Sequence, residues 1–360
     1  MRIKAWRWAA AAALVALLGA VPALAGLLPT GNSDLTAEQL RDLVRASDQV
    51  GWEGLGESRA DLPLPDVPDL DIVPALLGGT TRARASWVGP DQWRVDQLDV
   101  AGEIGTIGVR DATLTWNSAA QSANVVVGEL PVRLPSAADL LAPVLGRRLA
   151  STPDADLSRI GERRIAGRTA AGLRLTPQDP ASTTVSAVDI WVEPGSGLAL
   201  QVDVRSPGQR NAVLTSLLLD LDLRPPADDP TRFTPPAGVD VTFADAPDIA
   251  AEINRFAPFI LPETLAGVVR TDPAGLGNGG VAVYGTGFTA YAVVPLSGGV
   301  ARRILDAADP QGEFPTPLVN GVVGTGGRER VYLLVGTVPT ATLQAGLLEL
   351  QQNRPQRINR

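Results

Sequence analysis

The stretch of sequence that decides the fold, residues 81–98, reads TRARASWVGPDQWRVDQL. Small or apolar residues alternate with polar ones up to Trp87, and the alternation resumes at Trp93 and Val95. A period of two residues is typical of β-strands, and Gly89-Pro90-Asp91 between the two runs is typical of a tight turn. The stretch therefore predicts an antiparallel hairpin.

Similar short runs recur along the chain at the spacing expected of a meandering antiparallel sheet. They predict strands at 51–59, 104–109, 112–116, 125–127, 164–166, 171–175, 186–192, 198–204 and 213–223. In the last of these, alternating leucines are predicted to share one face: Leu217, Leu219, Leu221 and Leu223. Asp220 and Asp222 then fall on the opposite face of that strand.

Helical patterns interrupt the strands. Residues 35–47 predict a helix that begins with a capping box of Thr36 and Gln39. Residues 136–149 predict a second helix, which is capped by Ser136 and has an apolar stripe despite Pro143. Later residues predict a strand pair (281–284 and 289–294), a helix (299–307), a strand (330–335) and a helix (340–350). The order predicts an α+β fold, with a helical segment at 26–50, a larger domain at 51–245 and a smaller α+β domain at 246–360.

The first 25 residues have the features of a signal peptide. A basic start with Arg2, Lys4 and Arg7 precedes an apolar run, and Ala23-Leu24-Ala25 fits an A-x-A cleavage site. The alternative is an uncleaved membrane anchor at 8–25, which is just long enough to span a bilayer. Either reading predicts an exported, extracytoplasmic protein, released into a periplasmic space or retained by its N-terminal helix.

The composition excludes most catalytic machinery. The 360 residues contain no Cys and no His, and Lys4 is the only lysine. Disulfides, thiolate nucleophiles, imidazole bases and Cys/His metal sites are thereby excluded, and so are Schiff-base chemistry and phosphate-loop lysines once the leader is removed. The net charge of −8 argues against nucleic acid as a partner.

Three motifs that could carry chemistry have simpler explanations. Asp220 and Asp222 share a strand face and could form the carboxylate pair of a hydrolase, but that face is predicted to be solvated. The acidic run with Asp66, Asp69 and Asp71 lacks the calcium-loop framework and predicts a plain Pro-rich loop. The glycines of 275–280 fit G-x-G-x-x-G, yet a strand follows them instead of a helix, so we interpret them as a turn. The sequence predicts no enzyme activity, cofactor or metal.

The tryptophans offer the remaining functional signal. Trp87, Trp93 and Trp116 lie on neighbouring predicted strands, at positions that alternate with polar residues. They either fill the core between sheet and helix, or line a concave apolar cavity that holds a lipid chain. The candidate lining residues on the predicted strands are Trp87, Trp93, Val95, Trp116, Ile190, Leu200 and Val202.

Several stretches resemble the RseB/MucB family of envelope-stress regulators, whose N-terminal domain is related to lipoprotein carriers of the LolA type. The resemblance covers about 51–243 and is carried by 76–96, by IAGRTAAGLRLTP at 165–177, by IWVEPGSGLAL at 190–200 and by FTPP at 233–236. Glu193 stands where the family usually has aspartate. A weaker likeness to the family's C-terminal domain rests on 261–270, 283–288 and 335–339.

This resemblance implies an open antiparallel β half-barrel that wraps around helices and contains a hydrophobic cavity. It implies a non-enzymatic sensor or regulator of the cell envelope, of the kind that acts on sigma factors in the stress response. The implied partners are a lipid or lipoprotein acyl chain and a membrane-anchored protein, either anti-sigma-factor-like or transporter-like. The alternatives are an envelope assembly or interaction module with a fully packed barrel and no ligand, and a LolA-like lipoprotein carrier.

Overall fold

The computed structural model describes residues 33–64, 72–100, 102–128, 135–245, 259–272, 280–326, 330–352 and 356–357. Within these ranges the α-helices are α1 (Ala37–Arg45), α2 (Ile72–Leu77), α3 (Ala142–Ala150), α4 (Gly298–Ala307) and α5 (Thr340–Gln352). The strands are β1 (Trp52–Ala60), β2 (Thr80–Gly89), β3 (Gln92–Leu98), β4 (Glu103–Val109), β5 (Ala112–Asn117), β6 (Ser122–Val127), β7 (Ala155–Ile165), β8 (Arg168–Pro177), β9 (Ala187–Val192), β10 (Ala199–Arg205), β11 (Leu214–Asp222), β12 (Val241–Asp245), β13 (Phe259–Ile260), β14 (Thr264–Leu265), β15 (Val268–Val269), β16 (Ala282–Tyr284), β17 (Tyr291–Pro295), β18 (Glu313–Phe314), β19 (Asn320–Thr325), β20 (Val331–Gly336) and β21 (Gln356–Arg357).

Twelve strands form one large sheet in the order β12-β6-β5-β4-β3-β2-β1-β11-β10-β9-β8-β7. All neighbours are antiparallel except β12 and β6, which pair in parallel. β1 joins two meanders, β2–β6 on one side and β7–β11 on the other. In the part of the chain that the structure describes, the end strands β12 and β7 do not pair with each other, so the sheet stays open. The predicted fold class, an α+β fold with an open half-barrel and helices, is confirmed.

Helix α1 begins as its sequence predicts. The Gln39 backbone N–H donates to Thr36 Oγ1 at 3.2 Å, and the Thr36 backbone N–H donates to Gln39 Oε1 at 2.8 Å. This reciprocal pair satisfies two N–H groups that the helix itself leaves without partners. Leu40 and Val44, one turn apart, are fully buried on the face turned to the core.

The second predicted helix is divided in two. A 3₁₀ turn (Ala137–Leu140) precedes α3, and Leu141 between them is extended, with φ −65° and ψ 135°. Asp139 accepts a hydrogen bond from the Ser136 backbone at 2.8 Å, so the cap at Ser136 is confirmed. The Ser216 hydroxyl donates to the Leu140 carbonyl. A side chain of strand β11 thus satisfies the carbonyl at the break, a long-range contact that helical periodicity does not reveal.

A β-bulge overturns one prediction about β11. Leu55 pairs with Asp220 and Gly56 with Leu218, so Leu219 has no partner opposite it in β1. The extra residue reverses the side-chain alternation at that point. Leu218 and Leu221 are buried, whereas Leu219 is 43% exposed. The prediction that the alternating leucines share one face is therefore wrong.

A smaller sheet of five strands forms in the C-terminal part, in the order β16-β17-β20-β19-β18. The predicted strand pair, the strand at 330–335 and both helices are confirmed, while β18 and β19 were not predicted. The sequence of β19, NGVVGT, is too short and too rich in Gly for a clear strand pattern. The core of this sheet includes the stacked rings of Tyr284 and Tyr291, 5.3 Å apart.

Hydrogen bonds from two threonines join the C-terminal part to the large sheet. The Thr183 hydroxyl lies 2.6 Å from the Phe288 carbonyl oxygen and 2.9 Å from that of Thr337. The Thr184 backbone N–H donates to the same Thr337 oxygen at 2.9 Å. Phe288 and Leu318 are buried in the core of the large sheet. Backbone carbonyls and apolar side chains of the second part thus complete the packing of the first.

Several predictions lie outside the described residues. These are the leader at 1–25, the acidic run with Asp66, Asp69 and Asp71, most of the glycine motif at 275–280, and the chain directly after Asp245. Among the helices that the structure does describe, none has the length and apolar character needed to cross a bilayer.

Candidate functional site

Three tryptophans form a row on one face of the large sheet. Trp52 pairs with Trp87, and Trp87 pairs with Trp93, so that all three side chains point to the same side. We call this the inner face, because it is the face that packs against α3. The rings of Trp87 and Trp93 stack with centroids 5.8 Å apart and planes 13° apart. Trp52 is fully buried, Trp87 is buried and Trp93 is half-buried.

The glycine opposite Trp93 makes this arrangement possible. Trp93 pairs with Gly108 in β4. A Cβ atom on Gly108 would lie 2.1 Å from the Trp93 ring, far inside contact distance. The Trp93 indole therefore occupies the space that a side chain at position 108 would fill, and it extends the row toward β4.

Trp116 lies on the opposite face of the sheet. It pairs with Gly105, and Gly105 is three residues from Gly108, which places the two glycines on different faces. The Trp116 ring packs on Phe233 instead, with centroids 5.6 Å apart. The third member of the inner row is Trp52, which the sequence did not bring together with the other two. Only the pairing register of β1 with β2 reveals it.

The other candidate lining residues lie on the inner face and are buried: Val95, Ile190, Leu200 and Val202. Helix α3 covers two of them directly. An added Cβ on Gly146 of α3 would lie 3.5 Å from Val202 Cγ2 and 3.6 Å from Ile190 Cγ2. The inner face of β9 and β10 is thus filled by the protein's own helix.

The inner face of β4 and β5 has a different character. Here the side chains that follow Trp93 across the sheet are only half-buried: Ile104, Thr106, Thr113 and Thr115. None of the helices in the described ranges makes extensive contacts with these two strands. The tryptophan row therefore marks a border between a packed half and a partly open half of the inner face.

A cationic side chain lies at this border. The guanidinium of Arg147, in α3, lies 5.0 Å from the centroid of the Trp87 ring, within the range of a cation–π contact. Its Nη1 atom is buried and makes no hydrogen bond. Burial lowers the pKa of Arg147, and the nearby charge of Asp48 opposes that shift. The Trp87 Nε1–H donates to the Asp48 carbonyl oxygen at 2.8 Å, which fixes the ring beneath the guanidinium.

The outer face carries ion pairs. The buried carboxylate of Asp189 accepts hydrogen bonds from Arg174 at 2.6 and 2.8 Å and from Arg205 at 3.0 Å. Burial acts to raise the pKa of Asp189, but these hydrogen bonds outweigh it and lower the pKa. The pattern is that of a charged side chain held by partners across neighbouring strands, which stabilises the register of β8, β9 and β10.

The acid pair of Asp220 and Asp222 is unsuited to catalysis. Asp220 is exposed. Hydrogen bonds from Arg224 lower the pKa of Asp222 to about 2. A general acid must hold its proton near neutral pH, and Asp222 does not. Among the described residues, no group of three or more acidic side chains could hold a metal ion.

No sequence-family profile and no curated protein matches this chain. Solved structures similar to it include MucB (20% identity, covering 88% of this chain and 98% of that chain, TM-score 0.46) and a chain of the Pseudomonas aeruginosa MucA/MucB complex (18%, 89%, 98%, TM-score 0.48). A LolA superfamily protein from Nitrosomonas europaea covers 52% of this chain and 92% of its own, at 15% identity and a TM-score of 0.23. MucB belongs to the family that the sequence motifs resemble.

Proposed function

We propose that this protein is an exported, non-enzymatic sensor or regulator of the cell envelope. In this proposal it binds an apolar chain on the partly open inner face beside Trp87 and Trp93, and contacts a membrane-protein partner. The observation that carries the proposal is the border on the inner face, where stacked indoles adjoin strands whose side chains are only half-buried.

The chemistry of the border suits an apolar chain. Flat aromatic rings offer a large contact area at a small loss of conformational freedom, and apolar ligand sites commonly use them. Gly108 lies beneath the Trp93 indole, so at this point the ring itself forms the inner surface. Threonine methyl groups of Thr106 and Thr113 continue that surface. A hydrocarbon chain that covered Trp93 and these residues would remove further apolar area from water.

The partner belongs to the proposal because of the motif resemblance. A solved structure shows MucB in complex with MucA(peri), and the RseB/MucB-like motifs lead us to expect a partner of similar kind. The C-terminal part is fastened to the large sheet through Thr183 and Thr184. A partner bound to that part would therefore be held in a fixed position relative to the inner face.

A second candidate is an envelope interaction module that holds no ligand. The full burial of Ile190, Leu200 and Val202 favours it, because in that half of the sheet α3 already fills the space. The two candidates differ only in whether the half of the sheet beside Trp93 takes up a chain.

Native mass spectrometry of protein purified without detergent, followed by calorimetric titration with dodecanol, separates the candidates. We expect copurified lipid or saturable dodecanol binding. Trp93→Ala should weaken binding, because it removes the ring at the border, whereas Trp116→Ala on the outer face is the matched control and should retain it. Protein that carries no lipid and takes up no dodecanol would overturn the proposal in favour of the packed module.

A further inference from the structure

Arg147 has a binding capacity that the described protein does not use. Its Nη1 atom is buried without a hydrogen-bond partner. Buried polar groups in native structures nearly always have partners, and an unpaired buried charge is more costly still. The neighbouring Arg148 differs, because its side chain is exposed and lies 2.8 Å from Asp139. Arg147 thus places a cation with an unused hydrogen-bond donor beside the tryptophan row.

We infer that the inner-face site is specific for a long-chain carboxylate, and that Arg147 binds its carboxylate group. The inference rests on the proposed function and names the ligand class of that site. The hydrocarbon tail would extend from Trp87 across Trp93 toward Thr106 and Thr113, and the head group would meet the guanidinium above Trp87.

Charge complementarity selects an anion. Asp48 is the acidic group that attracts Arg147, while Arg148 repels it. Among the described residues no carboxylate lies within ion-pair distance of the Arg147 guanidinium, although eleven such pairs form there with other arginines. A ligand carboxylate would supply the missing acceptor, in a planar geometry that matches guanidinium hydrogen bonding.

The geometry favours a carboxylate over a phosphodiester. Trp87, beneath the guanidinium, is only 6% exposed, and Arg147 Nη1 is fully covered. A carboxylate is small, planar and terminal, so it can pair with the guanidinium of this partly buried side chain after a small rotation about the Arg147 side-chain bonds. A phosphodiester is tetrahedral and carries a second substituent on its far side, for which this buried position offers less room.

The test compares dodecanoate with dodecanol at pH 8, where the free acid is ionised. The wild-type protein should bind dodecanoate at least about tenfold more tightly, as expected for one hydrogen bond to a charged group. Arg147→Met should lose that preference while it still binds dodecanol. Arg148→Met is the matched control, with the same change one residue along the helix, and should keep the preference.

The outcomes separate the two proposals. Equal binding of both ligands by wild-type protein, or a preference that survives in Arg147→Met, would overturn the carboxylate site and leave the apolar site standing. Binding of neither ligand would overturn the apolar site itself. Tighter binding of phosphatidylglycerol vesicles than of dodecanoate, dependent on Arg147, would overturn the choice of a carboxylate.

A measurement on wild-type protein keeps the inference testable if Arg147→Met does not fold, which far-UV circular dichroism will show. Carboxyl-¹³C dodecanoate bound to the protein can be titrated by NMR. Pairing with Arg147 should hold the pKa of the bound carboxyl below that of the free acid. A bound carboxyl with an unchanged or raised pKa would contradict the assignment.

Discussion

Replacing Gly146 by alanine is expected to destabilise the large sheet, although alanine is the better helix former. Gly146 lies in α3, against β10, and an added Cβ would lie 2.5 Å from the Ala199 Cβ. Favourable contacts between carbon atoms are about 3.5–4.0 Å. Helix and sheet would therefore have to separate by about 1 Å. Both methyl groups are attached directly to the backbone, so no side-chain torsion can relieve the contact.

The magnitude follows from two opposing effects. Alanine in a helix interior is favoured over glycine by about 1 kcal/mol. Overpacking a filled core costs about 1–3 kcal/mol, and we expect the upper end because the contact joins two backbone-fixed methyl groups. Gly146→Ala should therefore lower the free energy of unfolding by about 2 kcal/mol.

Urea unfolding, monitored by tryptophan fluorescence, measures this change in the large sheet. Beyond the leader, the tryptophans are Trp52, Trp87, Trp93, Trp116 and Trp191, all in strands of the large sheet. The double variant Gly146→Ala/Ala199→Gly removes the opposing methyl group and is the matched control. It should recover part of the loss, with a favourable coupling energy in the double-mutant cycle. Unchanged stability of Gly146→Ala, or zero coupling with Ala199→Gly, would refute the proposed packing of α3 on β10.

Two further predictions concern the sheet. Leu218→Asp should unfold the protein or lower its urea midpoint strongly, because it places a charge in the core, while Leu219→Asp at the exposed bulge should change the midpoint little; equal effects would contradict the bulge. Asp189 has a lower pKa in the folded protein than its ordinary value of about 3.9, so its charge stabilises the fold above that pH and the contribution is lost as the pH falls through the lowered pKa. The stability difference between wild type and Asp189→Asn should therefore be full at pH 6 and shrink below pH 4, and a difference independent of pH would argue against the ion pairs with Arg174 and Arg205.

Local sequence patterns were sufficient to predict the structure wherever residues close in sequence are also partners in the fold. The capping box of Thr36 and Gln39 joins residues three apart, and the hairpin at 81–98 joins strands across one turn. Such contacts depend on backbone geometry within a few residues, so they can be predicted from spacing alone. The α+β fold class follows from the same kind of information.

Patterns failed where a partner distant in sequence decides the outcome. The bulge at Leu219 is fixed by the register of β11 against β1, and the break at Leu141 coincides with a hydrogen bond from Ser216. In each case the two segments that interact are more than 70 residues apart in the sequence. A one-residue shift reverses every later side chain, and no local property of the leucines signals it.

By itself, the sequence determined most of the strands of the large sheet, the absence of Cys and His with the chemistry that this excludes, and the presence of tryptophans on neighbouring strands. Only the tertiary structure decided which tryptophans share a face, that Trp52 joins Trp87 and Trp93 while Trp116 lies on the other side, and that Arg147 lies above the row without a partner for its Nη1. The physical reason is that alternation fixes the relative sides of residues within one strand, whereas the side shared between strands depends on their pairing register. That register is set by contacts over the whole sheet.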